Sequence, residues 1–227
     1  MPSSNIAAAA FYADYTDVQI PGSVACEVGG LPSFCGVVSN AGKATFKGLE
    51  LEASARFGGG FGLAGSLGYI DAQYDEYITN IGNTPTDVAA FRVVQNTPEV
   101  TGSITASYDT PVGPGDLYLG TTLSYRSKTS QFEIPNPYLD QGGYALLDAS
   151  VVYSAPDDRW SVGLYGKNLL DKEYKTSGYT FVATDPVTGD IVNGANGFPV
   201  PTLGPEGTLT AFYGNPRQVF ATLTFNY

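Results

Sequence analysis

The sequence predicts an all-β fold: a transmembrane, antiparallel, up-and-down β-barrel wall of about eight strands, with long external loops and short periplasmic turns. Three observations predict it. Apolar and polar residues alternate with period two along eight separate segments. The connections between these segments run long, short, long, short, long, short, long. Finally, no apolar run approaches the roughly 18 to 20 residues that a membrane helix requires; the longest, residues 7–13, is alanine-rich and stops at Asp14.

The first segment, residues 10–20, is the poorest and changes phase near Asp17. Residues 49–57 set Leu49, Leu51, Ala53, Ala55 and Phe57 against Glu50, Glu52, Ser54 and Arg56. Residues 61–69 place Phe61, Leu63, Leu67 and Tyr69 on one face, and residues 100–108 oppose Val100, Ile104 and Tyr108 to Thr101, Ser103, Thr105 and Ser107. Residues 117–125 present Leu117, Leu119, Leu123 and Tyr125, and residues 147–153 set Leu147, Val151 and Tyr153 against Asp148 and Ser150. Trp160, Val162 and Leu164 mark residues 160–166, and residues 219–227 carry Val219, Leu223, Phe225 and Tyr227 opposite Thr222, Thr224 and Asn226.

A soluble sandwich has no reason to collect every long connection at one end. A barrel in an outer membrane does, because its periplasmic turns are short and its external loops long. Residues 58–60, 109–116 and 155–159 are then periplasmic turns. The first segment rises outward, and Tyr227 ends on the periplasmic side. Small and medium apolar residues with aromatics near the strand ends (Tyr108, Tyr125, Tyr153, Phe225) suit a lipid-facing band with interfacial girdles. In "NLLDKEY", residues 168–174, the alternation fails: Asn168 falls on the oily face and Leu169 adjoins Leu170. Asn168 stands about 27 Å of strand above Trp160, so the oily face stops where the lipid stops. The leucine pair is expected to form a bulge there.

Composition removes several function classes. A net charge of −11, from 22 acidic and 11 basic residues, disfavours a nucleic-acid partner. The absence of His removes the usual general base and the commonest metal ligand. With no convincing nucleophile–base pair, the chain is not expected to be an enzyme, and no cofactor or metal site is expected. Asp71, Asp75 and Glu76, and Asp14 with Asp17, lack the spaced acidic–glycine pattern of a calcium loop and read as solvated strand ends. Cys26 and Cys35 would close a short loop as a disulfide in an oxidising compartment; the alternative is a pair of free thiols in a surface loop. Residues 1–20 lack the basic start and compact apolar core of a signal peptide, so the chain reads as a piece of a longer protein.

Three stretches carry a family resemblance: "AAFYADYTDVQI" (9–20), "FKGLELEASARFGGGFGLAGSLGYIDAQYDEY" (46–77), and "YALLDASVVYSAPDDRWSVGLYGKNLLDKEYKTSGY" (144–179) with "GNPRQVFATLTFNY" (214–227). Together they resemble the C-terminal β-barrel portion of a TonB-dependent outer-membrane receptor. Asn168, Leu169, Asp171 and Tyr174 match that family's Asn-Leu-x-Asp-x-x-Tyr pattern. Leu223, Phe225 and Tyr227 resemble its barrel-assembly signal, Tyr227 being equally a girdle aromatic. The resemblance implies a 22-stranded barrel, integral to the outer membrane of a Gram-negative bacterium and filled by an N-terminal plug. Such a receptor imports a scarce ligand, most often an iron–siderophore complex, with energy from TonB. Its partners would be outer-membrane lipid, the barrel-assembly machinery, TonB and a siderophore or other small ligand. Residues 1–227 would be the C-terminal part of the barrel, without the plug and about fourteen N-terminal strands. Glu50, Glu52 and Arg56, facing inward, would meet either that plug or barrel water. A competing reading is a self-contained eight-stranded outer-membrane barrel with a structural or adhesion role, which requires residues 10–20 to pair with residues 219–227.

Overall fold

Strict alternation leaves each segment one apolar and one polar side, and an extended chain satisfies its backbone groups only by pairing with neighbours. The computed structural model describes residues 2–40, 42–82, 84–202 and 209–226, with backbone alone at residues 20–26, 32–34, 37 and 39. The strands are β1 (Ser3–Thr16), β2 (Gln19–Val28), β3 (Leu31–Asn40), β4 (Gly42–Arg56), β5 (Phe61–Ile81), β6 (Thr84–Asp87), β7 (Val100–Val112), β8 (Gly115–Arg126), β9 (Tyr144–Ser154), β10 (Trp160–Lys167), β11 (Lys175–Thr180), β12 (Leu209–Tyr213) and β13 (Gln218–Phe225). The main sheet runs β1-β4-β5-β7-β8-β9-β10-β13, antiparallel at every step, with β6 folded back on β5. Two small ribbons, β2–β3 and β11–β12, stand apart from it. Among the described residues no helix is long and apolar enough to cross a membrane.

Register carries the alternation across the whole wall. Ile6, Ala53, Gly65, Ile104, Leu123 and Leu147 form one row on the apolar face. Further toward the short turns, Phe61, Tyr108, Leu119, Val151, Leu164 and Ala221 form another. The opposite face holds Glu52, Ser66, Ser103 and Ser124 in one row and Ser54, Thr105, Thr122 and Asp148 in the next. There Ser66 and Ser103 hydroxyls bond at 2.8 Å, and Thr105 and Thr122 at 2.9 Å. No second sheet or helix layer of described residues covers the apolar face: Ile6, Ile104, Leu164 and Leu223 are 74, 59, 53 and 61 % exposed. A sandwich would have buried them; on a transmembrane wall the apolar face is the one turned to lipid. Phe57 with Phe61 (5.6 Å) and Tyr153 with Trp160 (5.7 Å) pack beside the short turns as the lower girdle.

The short turns rest on particular residues. Gly60 has φ +87°, and a Cβ there would collide with the Asp109 carbonyl of β7. Asp157 and Asp158 also take left-handed φ, +59° and +53°, which Asp tolerates better than most residues.

Several expectations are corrected. The first wall strand is Ser3–Thr16 rather than residues 10–20, because Ser3 already pairs with Arg56. Its phase change at Asp17 is a kink with φ +56°, after which the chain continues as the β2–β3 ribbon, turned at Gly29 and Gly30 (φ +63° and +79°). The expected loop beyond Tyr77 contains β6, and the last long loop contains β11 and β12. Leu169 and Leu170 do not form a bulge, because β10 leaves the ladder at Lys167 in a tight turn. The closure of the first strand on the last that the competing self-contained barrel requires is not present: β1 and β13 stand at opposite ends of the sheet, and among the described residues no ladder joins them.

Replacing Ile104, midway along the lipid band, with Arg should lower stability in vesicles by about 2–4 kcal/mol. Ser124→Arg, on the inner face, should cost under about 1 kcal/mol. Urea titration of the refolded full-length protein, followed by intrinsic fluorescence, checks both.

Candidate functional site

Asn168 explains why β10 stops. Its φ is +47°, in the left-handed region that Asn enters more readily than other L residues, so the chain turns away from the wall. The turned side chain is 5 % exposed, and each of its polar atoms has a partner. Oδ1 accepts the Lys172 N–H (2.9 Å), while Nδ2 donates to the carbonyls of Lys172 (3.0 Å) and Asn215 (3.1 Å). The Asn168 N–H donates to Asp148 Oδ1 (2.9 Å), whose Oδ2 lies 2.7 Å from Lys167 Nζ. Leu169 N–H donates to Leu147 O (2.7 Å), tying the turn to β9.

Asp171 and Tyr174 complete the clasp. Asp171 accepts the Arg217 N–H (3.0 Å) and Arg217 Nη2 (2.9 Å). The Arg217 N–H, helped by the guanidinium charge against a smaller desolvation, holds the Asp171 carboxyl below its ordinary 3.8. Tyr174 O accepts the Gly214 N–H (2.9 Å), and its ring stacks on Tyr144 at 4.7 Å. A Cβ on Gly214 would strike that ring. Asn168, Asp171 and Tyr174 thus meet against residues 214–217, with Leu169 held on β9, although the whole β11–β12 excursion intervenes. The clasp closes the base of that loop and fixes the register in which Lys167 faces Gln218.

A second site lies among the outer loops, where the chain is most densely packed. Val88, Leu139, Thr129, Asn136, Arg92 and Gln141 are all buried there. Arg92 Nη1 donates to Val187 O (3.0 Å) and Phe91 O (3.2 Å), Nη2 to Pro186 O (3.4 Å), and the guanidinium lies 5.8 Å from the Tyr77 ring centre. Gln141 Oε1 accepts the Lys175 N–H (2.7 Å), and Lys175 Nζ donates to the carbonyls of Tyr138 (2.7 Å) and Asp140 (3.2 Å). Val93 N–H donates to Glu133 O (2.9 Å). Loops 88–99, 127–143 and 181–202 therefore share one seam. The Tyr77 and Ala89 N–H groups hold Asp87 below the usual carboxylate range, and the Thr188 and Val187 N–H groups do the same for Asp185. Carbonyls, amides and phenols held in fixed positions can grip a ligand by contact and hydrogen bonding.

Other expected residues fall elsewhere. Leu223 and Phe225 sit on the lipid face of β13 toward the lower rim, where Phe225 pairs with Trp160; Tyr227 lies outside the described residues. Cys35 is disulfide-bonded, while the Cys26 side chain lies outside the description. Glu50, Glu52 and Arg56 lie on the inner face by register. Lys43 with Glu76 (3.7 Å) and Lys47 with Asp71 (3.0 Å) are ion pairs, and among the described residues no acidic group of metal-binding size occurs. Arg92, Asn136 and Gln141 escaped the sequence analysis. Only Asn136 had a local signal: in "NPYLD" its side chain caps the Tyr138 N–H (3.0 Å) as Asn does in turns.

A family described as TonB dependent receptor-like, β-barrel, has a model that matches residues 2–169. The chain belongs to this family. It is 29 % identical over 190 residues to the ferrichrome outer membrane transporter/phage receptor of Escherichia coli (strain K12), covering 82 % of the chain and 20 % of that protein. It is also 29 % identical over 174 residues to the pesticin receptor of Yersinia pestis, covering 76 % of the chain and 23 % of that protein. Among solved structures, the ferric yersiniabactin uptake receptor of Yersinia pestis superposes with a TM-score of 0.66 at 21 % identity, over 99 % of this chain and 28 % of that one. A siderophore receptor from Acinetobacter baumannii gives 0.62 at 16 % identity, over 99 % and 26 %. The chain thus spans about a quarter of its relatives. The family's members are receptors and transporters integral to the outer membrane, and the wall described here has their strand architecture.

Asn168→Ala should cost roughly 2–4 kcal/mol, because it strands the Lys172 N–H and leaves Ala in a left-handed conformation. Asn168→Gly should recover the backbone part alone. Thermal loss of heat-modifiable migration ranks the three proteins.

The Asp171 tie also has a defined pH window. A folded pKa below 3.8 means its stabilisation is fully present above that value and is lost as pH falls through the folded pKa. Exchange protection of the Arg217 amide, corrected for the intrinsic rate, should therefore hold at pH 5, fall below about pH 4, and be weak at every pH in Asp171→Asn.

Proposed function

We propose that the chain is the closing part of a longer receptor barrel, which takes an iron–siderophore complex across the outer membrane of a Gram-negative bacterium with energy from TonB. The observation that carries this reading is the open wall. Among the described residues its two edges, β1 and β13, are each paired on one side only, and a sheet edge cannot stand unpaired in hydrocarbon. This supports a wall continued by further strands and disfavours the self-contained barrel. The ferrichrome and yersiniabactin receptors among its relatives support the class of cargo. On the same reading Leu223, Phe225 and Tyr227 serve as the barrel-assembly signal, Glu50, Glu52 and Arg56 face an internal plug, and Cys26 and Cys35 staple the β2–β3 ribbon.

Cells deleted for the gene and starved of iron should regain accumulation of radio-iron siderophore when the full receptor is restored, and should lose it again when TonB is removed. Uptake equal with and without the receptor would contradict the proposal.

A further inference from the structure

Strand β13 joins the wall with little to fix its register. Among the described residues it pairs on one side only, with β10, and the chain reaches it through residues 168–217 rather than through a short turn. The ladder sets Trp160, Val162, Leu164 and Gly166 against Phe225, Leu223, Ala221 and Val219 on the lipid side. A slip of one residue would turn Thr222 and Thr224 to the lipid, and that cost alone excludes it. A slip of two would put Leu164 against Leu223 or Val219, and the outward positions of both strands would still be apolar. Within the ladder, the Tyr165–Phe220 stack at 5.2 Å on the inner face marks the native register. The inward pairs Ser161–Thr224 and Gly163–Thr222 are small and carry no such mark.

The turn after β10 supplies what the ladder lacks. Bonds between near neighbours close it: Asp171 N–H to Asn168 O (2.8 Å), Lys172 N–H to Asn168 Oδ1 (2.9 Å) and Asn168 Nδ2 to Lys172 O (3.0 Å). Asn168 and Asp171 both take left-handed φ, +47° and +53°, which Asn and Asp enter more readily than other L residues. Strand β9 holds the turn through Leu147 O and Asp148 Oδ1. These bonds do not involve β13. The turn and the residues after it then present three groups to segment 214–217, which leads directly into β13. Tyr174 O accepts the Gly214 N–H, Asn168 Nδ2 donates to Asn215 O, and Asp171 accepts the Arg217 N–H and Nη2. Pro216, its φ set by the ring, stiffens the spacing between Asn215 and Arg217. A two-residue slip would carry this segment about 7 Å along the wall, so all of these bonds would break together.

We propose that residues 168–174 are an assembly template: the turn forms from local bonds on the β9–β10 hairpin, captures segment 214–217, and thereby selects the register in which β13 joins the wall. Bonds between near neighbours close small loops and form before long-range ones, so the template precedes its target. The motif in "NLLDKEY" then has a task in building the wall rather than in handling cargo, and the proposal stands whatever the receptor carries.

The test uses the full receptor refolded from urea into lipid vesicles, in three double-cysteine forms. Leu164→Cys with Ala221→Cys joins positions that face each other in the native ladder; Leu164→Cys with Leu223→Cys or with Val219→Cys joins positions that face each other after a slip of two. Each form is oxidised with copper–phenanthroline, and the cross-linked peptides are quantified by mass spectrometry. The diagonal pairs, about 7–8 Å apart in the native ladder, set the background. With the template intact the 164–221 link should dominate. Adding Asn168→Ala together with Asp171→Asn should raise the slipped share, 164–223 plus 164–219, at least about tenfold. Tyr165→Ala removes the stack on Phe220 but leaves the template, so it should lower the unfolding temperature while the slipped share stays at its parent value. If the doubly substituted template does not refold, Asp171→Asn decides alone, since the local bonds of Asn168 remain, and it should raise the slipped share in the same direction. A slipped share unchanged in the folded template variants, or raised as much by Tyr165→Ala, overturns the proposal, as does a parent that favours a slipped link.

Discussion

Hydrocarbon offers no hydrogen-bond partner, and every other feature of this wall follows from that. A backbone crossing the bilayer as strands must pair each N–H and C=O with a neighbouring strand. Pairing fixes register, and register aligns eight alternating sequences into continuous rows. The side chains on the outer rows need only be apolar; among the described residues no second layer packs on them, and they are accordingly mostly Leu, Ile, Val, Ala and Gly with no shape code. Shape enters where the lipid ends, as rings beside the short turns.

Dense protein packing is displaced to the external end. In a soluble domain the buried residues would sit between layers of sheet; here, apart from Ala44 and Ala155, those described gather in the seam of three loops and in the clasp below it. The two are connected through Lys175, whose N–H and ammonium meet Gln141, Tyr138 and Asp140, and which directly follows Tyr174 of the clasp. The long β11–β12 excursion therefore leaves the wall and returns to it through adjacent, fully hydrogen-bonded points. Loop closure over that length is costly in entropy, and Asn168, Asp171 and Tyr174 concentrate the compensating bonds at its base.

The fold was largely legible because lipid imposes a period that a single sequence displays. Seven of the eight wall segments lie where alternation put them; residues 49–57 and 100–108 could be assigned face by face. The first was misplaced because "SSNIAAAAFYADYT" has too few large apolar residues below Phe11 to mark a phase, and its pairing with β4 alone defines it. The ribbon β2–β3 and strand β6 were invisible for a related reason: with water on both sides, nothing imposes alternation. For the site, the sequence displayed Asn168, Asp171 and Tyr174 as a motif but not their task. Their partners, residues 214–217, come together with them only through the β10–β13 ladder. Arg92 had no signal, since its acceptors are carbonyls, which every residue possesses.

The central claim is that lipid touches the Leu/Val/Ala side of the wall. In the full receptor an added tryptophan is read as the difference in fluorescence between the variant and the unsubstituted protein. Quenching by lipids brominated midway along their acyl chains should be strong for Ile104→Trp and near background for Ser103→Trp. Strong quenching at position 103 with a dark-to-bromine position 104 would reverse the wall and contradict the account.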